Sequence, residues 1–194
     1  MSLSRPTFSI AFVFAFVSLV SSTAFAAEPD ALRPAPTATT TRGIASGGIS
    51  TANLFGVSST AMHVGLGLGI EHGRFFVPLV LDVALGQTER ELSAGEVEIG
   101  GGVMGIFGPV RLGGGLDLGY GWIGRAPSSS SPHVGMYGID AFAQASVDLF
   151  DIGERRAVYL AVKPSIGVRW GESIFSWDHG AITWRGAAIA GVRF

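Results

Sequence analysis

Apolar and polar residues alternate along most of the chain beyond residue 43, and alternation puts successive side chains on opposite faces of a strand. In residues 156–170, Val158, Leu160, Val162, Pro164, Ile166, Val168 and Trp170 form one face, with Tyr159, Lys163, Ser165 and Arg169 on the other. Residues 182–194 repeat the pattern: Ile182, Trp184, Gly186, Ala188, Ala190, Val192 and Phe194 oppose Thr183, Arg185 and Arg193. Further segments register likewise at about 61–71, 74–86, 96–107, 110–123 and 134–150. Throughout, the apolar face carries no Asp, Glu, Lys or Arg. An eighth strand is expected over residues 43–55 (GIASGGISTANLF), which have the length but no clean face. Phe142, Ala143, Val147 and Phe150 would also make a helical stripe over residues 139–150, but the flanking strands favour a strand there too.

The connections alternate in length. Longer ones at 55–60, 87–95, 125–132 and 171–180 are separated by shorter ones at 71–74, 108–109 and 151–154. An antiparallel up-and-down meander sorts these into loops at one end and tight turns at the other, the asymmetry of transmembrane β-barrels. Nowhere beyond residue 43 do 18 apolar residues run together, so a helical membrane span is excluded there. Aromatic residues sort by end as well. Tyr120, Trp122, Tyr137, Trp170 and Trp184 lie near the long loops, and Phe75, Phe107, Phe150 and Phe194 near the short turns. All but Phe150 fall on the apolar face. They are candidates for two membrane-interface belts, because amphipathic rings favour the headgroup level.

Composition sharpens this picture. The 194 residues are 47% hydrophobic and only 14% charged, with 29 glycines and no cysteine. So few charges cover a water-exposed surface poorly. Thirteen basic against 15 acidic side chains give a net charge of −2, which offers nucleic acid no basic footprint. Without thiols there is neither a disulfide framework nor a cysteine metal site. At the N-terminus, Arg5, an apolar run over residues 10–20 and the small-x-small Ala24-Phe25-Ala26 read as a cleaved signal peptide over 1–26. Residues 27–42, rich in Pro, Ala and Thr, read as a flexible leader to a barrel domain over 43–194.

Alternation does not by itself say which face is inside. A secreted lipocalin-like barrel alternates too, around an apolar ligand cavity. Its outer face would have to be well charged, whereas the polar face here is mainly small, with Gly65, Gly67, Gly69, Gly100, Gly102, Gly113, Gly115, Gly119 and Gly121. Small residues suit a crowded lumen. The charges on that face nearly balance: Glu71, Asp82, Glu96, Glu98, Asp117, Asp140 and Asp148 against Arg74, Arg111, Lys163, Arg169, Arg185 and Arg193. Balance is what buried charges require. The candidate lumen network comprises Asp82, Asp117, Asp140, Asp148, Arg111, Lys163, Arg185 and Arg193, with Lys163 expected to pair with Asp140 or another residue on the adjacent strand.

A signal peptide, eight alternating segments and a final strand ending Ala-Gly-Val-Arg-Phe resemble the small OmpA/OmpX-type outer-membrane β-barrels of Gram-negative bacteria. The resemblance implies an all-β, eight-stranded antiparallel up-and-down transmembrane barrel. It also implies Phe194 as the assembly signal, with outer-membrane lipids, the outer-membrane assembly machinery and periplasmic chaperones as partners. An eight-stranded lumen is just wide enough for its own side chains, so no wide pore is expected.

Catalytic chemistry finds little support. Gly119-Tyr-Gly121-Trp-Ile-Gly124 is formally G-x-G-x-x-G, but Arg125 and a Ser/Pro run follow instead of a helix. His63, His72, His133 and His179 lack metal-ligand spacing. Glu172, Ser173, Ser176, Asp178 and His179 are the parts of a nucleophilic site, but any polar loop of that length holds such residues. The expectation is a non-enzymatic protein without metal or cofactor, with a structural, adhesive or envelope-interaction role. A lipid-modifying barrel enzyme and a secreted binder of apolar ligands are the alternatives, and the loops' ligand is unknown.

Overall fold

The computed structural model describes residues 38–54, 57–90, 92–124, 134–151, 156–171 and 181–194. They form eight strands, β1 (Thr39–Leu54), β2 (Val57–His72), β3 (Phe75–Thr88), β4 (Ser93–Phe107), β5 (Val110–Gly124), β6 (Val134–Asp151), β7 (Ala157–Gly171) and β8 (Ala181–Arg193). Each pairs antiparallel with its sequence neighbours, and β8 returns to β1, closing the barrel. Closure leaves no free sheet edge, the condition for crossing lipid with strands. The proposed signal peptide, most of the leader and the loops at 125–133 and 172–180 lie outside the described residues, as do His133 and the candidate nucleophilic cluster.

The strands run longer than alternation alone indicates. Thr39, Thr40, Thr41 and Arg42, read above as leader, pair with His72, Glu71, Ile70 and Gly69. The long β2 supplies their backbone partners, and β-branched threonines suit an extended strand. Extension of β1 and β2 also reduces the first connection to Phe55 and Gly56, so the expected long loop there is absent. At the opposite rim, Gly73 and Gly108 open two-residue turns with φ of 61° and 60°. Hairpin twist demands positive φ at that position, which glycine reaches without a Cβ clash. Pro78 and Pro164 each sit in the strand ladder on one side only, as their missing N–H dictates.

Polarity across the wall follows the alternation. Met62, Val64, Leu66, Leu68 and Ile70 of β2, and Val77, Leu79, Leu81, Val83 and Leu85 of β3, stand exposed on the outside. Among the described strand residues on that face none is Asp, Glu, Lys or Arg. Inside are Glu98, Arg111, Asp117, Asp140, Arg169 and Arg193, all buried. The lumen is therefore the polar side and the exterior the apolar side. One aromatic departs from simple alternation. The β6–β7 register shifts between Asp148 and Phe150, a bulge that turns both Leu149 and Phe150 outward.

Candidate functional site

Three tiers of side chains fill the lumen. At the short-turn end, Asp148 of β6 accepts from Arg111 of β5 through one oxygen and from Arg193 of β8 through the other. Arg193 also donates to Ser146 Oγ at 2.9 Å, and its guanidinium lies 3.9 Å from the Tyr159 ring centre. Phe76 receives both arginines, 5.7 Å from Arg111 and 5.6 Å from Arg193. Ile44, Phe76, Met104, Tyr159 and Ala161 form a small apolar core beside these charges. Lumen packing at this end is thus aromatic as well as ionic, although alternation placed Phe76 and Tyr159 on the polar face. Glu71 stands 3.7 Å from both Arg42 and Arg111. Arg74, grouped above with the lumen charges, is exposed in the β2–β3 turn.

Near mid-height, Lys163 Nζ lies 2.7 Å from Asp117 Oδ2 and 4.3 Å above the Phe142 ring. The expected pairing with Asp140 does not occur. Asp117 is on β5, two strands away from β7, and a lysine can reach it because an eight-stranded lumen is so narrow. His63 Nδ1 lies 3.1 Å from Asp82 Oδ2 across the β2–β3 ladder.

The upper tier holds the densest charge. Arg185 Nη1 donates to Glu98 Oε2 at 2.6 Å, and its other terminal nitrogen donates to Glu98 Oε1. Arg185 Nη2 also donates to Asp140 Oδ2 at 3.0 Å. Arg169 Nη2 donates to Asp140 Oδ2 at 2.5 Å and to Glu98 Oε1 at 3.2 Å, and reaches Glu96 as well. A fork of donors held between carboxylates is the geometry guanidinium suits. Glu96, Glu98 and Arg169 were legible as lumen-facing but not as network members, because alternation reports the face and not the height. Asp140 joins this upper tier through both arginines. Glu96, Glu98 and Asp140 stand close enough to share a cation, but Arg169 and Arg185 already occupy that role.

Outside, the ladder aligns Tyr120 with Tyr137 and Tyr137 with Trp170 in one row toward the long-loop end. The Tyr120 and Tyr137 ring centres are 5.0 Å apart, and Trp122 stands 6.4 Å from Tyr120. Trp184 is exposed near the same end, and Phe75, Phe107, Phe150 and Phe194 are exposed near the other. Phe194 also joins the barrel seam. It exchanges two backbone hydrogen bonds with Gly43, at 2.6 and 3.0 Å, and its ring fills the space above that glycine.

A closed antiparallel barrel, apolar outside and charged within, is the architecture of a transmembrane β-barrel. Among solved structures the fold is similar to Neisserial surface protein A, NspA, with a TM-score of 0.52 and 15% sequence identity over 80% of this chain and 97% of that one. Similarity to the outer membrane protein OprG from Pseudomonas aeruginosa is weaker, with a TM-score of 0.43 and 13% identity over 79% and 95% of the two chains. At such identities what is shared is the fold, and it rests on the first of these likenesses. No protein-family model and no curated protein matches the chain.

Proposed function

We propose that this chain is an integral outer-membrane β-barrel protein with a structural, adhesive or envelope-interaction role, and that it is not an enzyme. The observation that carries this reading is the inverted polarity: an apolar-rich exterior on which no described strand residue is charged, around a lumen of paired charges. A secreted binder of apolar ligands would need the opposite arrangement, with apolar walls around a cavity. The likeness to NspA, itself described as a surface protein, supports the same compartment. The tiers of ion pairs and rings cross the described part of the lumen, which supports reading the barrel as a membrane-embedded platform and not as a wide pore. Its partners in this reading are outer-membrane lipids and, during biogenesis, periplasmic chaperones and the outer-membrane assembly machinery.

Cell fractionation, combined with electrophoresis of boiled and unboiled samples in detergent, tests the reading. The protein is expected in the outer-membrane fraction and to migrate differently before and after boiling. Recovery in the soluble periplasm would overturn the proposal. Unaltered lipid A on overexpression is the expected result for a non-enzymatic barrel.

A further inference from the structure

A recess of about 220 Å³ interrupts the outer wall where β8 lies between β1 and β7. Two rows of outward residues crossing these strands form it. Gly47, Ala190 and Leu160 make one row, and Ile49, Ala188 and Val162 make the next. Glycine and alanine leave the hollow, Ile49 and Leu160 stand at its sides, and Val162 lies in its floor, 4% exposed although it faces outward. None of its described lining residues has a polar side chain. Ala188 and Ala190 are midway along β8 between Trp184 and Phe194, so the recess lies between the two aromatic ends, within the apolar band.

Its two ends differ. Toward the loops the next row is Thr51, Gly186 and Pro164, and no described atom lies within 4 Å of a Cβ placed on Gly186. Toward the tight turns Val192 follows, and then Phe194, whose ring is laid over Gly43 across the seam. The recess is therefore open toward the loop-bearing rim and closed toward the other. At the open end Thr51 stands beside Thr60, placing two hydroxyls on the outer face.

Shape and surroundings select the occupant. The recess is continuous with the lipid-facing exterior, so acyl chains are its neighbours. Two barrels are convex and touch along a line, which leaves a hollow between flanking strands unfilled. A single acyl chain can follow the hollow and regain the dispersion contacts that an empty recess forfeits. In hydrocarbon, close packing and hydrogen bonds hold a partner, because apolar burial brings no gain there.

We propose that the recess binds one acyl chain of a lipid drawn from the leaflet at the loop-bearing rim, with Thr51 and Thr60 meeting its ester or amide linkage. Short turns mark the periplasmic side of such barrels, so in an outer membrane this lipid is the acylated glycolipid of the external leaflet. The bound acyl chain lies across the β1–β8 contact and clasps the strands that close the barrel. The proposal rests on reading the protein as an outer-membrane barrel.

Native mass spectrometry of the protein, extracted from outer membranes in a mild detergent, tests it. The unaltered barrel is expected to retain one glycolipid. Ala190→Phe fills the recess and Gly186→Leu obstructs its open end, and each lowers the occupied fraction by about tenfold or more. Thr51→Val with Thr60→Val lowers it as well, whereas Ala45→Leu, at the closed end, leaves it unchanged. Heat-modifiable migration verifies that each variant is folded. Equal retention by Ala190→Phe and the unaltered barrel, a phospholipid in place of the glycolipid, or a lipid-free dimer overturns the proposal. A barrel folded in the outer membrane that carries no lipid defeats the recess alone, whereas recovery in the soluble periplasm defeats the membrane reading itself.

Discussion

Gly138 lies directly opposite Arg169 across the β6–β7 ladder, and the Arg169 guanidinium fills the space that a Cβ on Gly138 would occupy. The relationship recurs throughout the lumen. Gly100 faces Asp117, Gly167 faces Asp140, Gly119 faces Glu98, Gly65 faces Asp82 and Gly48 faces His63. Each glycine has its partner's side chain folded over it. In so narrow a barrel each of these side chains gains its room by lying over a glycine on one neighbouring strand, even where the other neighbour carries a full side chain, as at Asp117 opposite Asp140 and Asp82 opposite Glu98.

Gly138→Val therefore displaces Arg169 from Asp140, Glu98 and Glu96. Breaking such a buried cluster costs about 3–5 kcal/mol. The loss is read as a lowered urea midpoint for unfolding in detergent micelles. Gly186→Ala is the control, because no atom lies within 4 Å of a Cβ placed on Gly186. It is expected to shift stability by less than about 0.5 kcal/mol. Equal losses at the two positions would mean that the charge-over-glycine relationship has no energetic weight.

Lys163→Ala leaves Asp117, which is 1% exposed, without its cation. The expected destabilisation is again about 3–5 kcal/mol, because the uncompensated charge stays buried. Adding Asp117→Ala removes that charge and recovers most of the loss. A double-mutant cycle in the same unfolding assay measures the coupling, and additive losses would show that the two side chains do not interact.

On the outer face the sign of tolerance reverses. Leu66 of β2 is 63% exposed, and in a water-soluble barrel Leu66→Arg would be harmless or helpful to solubility. In a lipid-embedded barrel, an arginine near the midplane costs about 2–4 kcal/mol. Folding titrations into lipid vesicles distinguish the two, and an undiminished folding free energy would count against lipid contact.

Phe194 closes the seam with Gly43 through its backbone, and its ring caps that glycine. If Phe194 is also the assembly signal, Phe194→Ala lowers the yield of folded barrel in cells far more than it lowers refolding yield in micelles. Equal reductions in the two settings would assign Phe194 a purely structural role.

The strands were legible in the sequence because lipid on one side and a crowded lumen on the other impose opposite demands on alternate residues. Arg185 and Arg193 were placed on their face for that reason. Alternation carries no information about height or about partners across the lumen, however. Lys163 was expected to find its carboxylate on an adjacent strand, yet it reaches past β6 to Asp117 on β5. Glu96 and Glu98 on β4 are far in sequence from Arg169 on β7, and they meet it only across the closed lumen. The register pairing glycine with charge was the available signal, since it ties Gly138 to Arg169 and Gly119 to Glu98 before any side chain is placed. The outward turn of Phe150 was hidden by a bulge, which breaks the two-residue period without altering composition.

An even strand count also fixes where attachments can go. β1 begins and β8 ends on the same rim, the one that carries the tight turns at Gly73 and Gly108. A tag or passenger domain fused to either terminus of the barrel therefore faces the same compartment as those turns. Display on the opposite side requires insertion into a connection on that rim: β1–β2, β3–β4, β5–β6 or β7–β8. Circular permutation that joins the old ends and opens one of those connections would carry both new termini across the membrane to the other side.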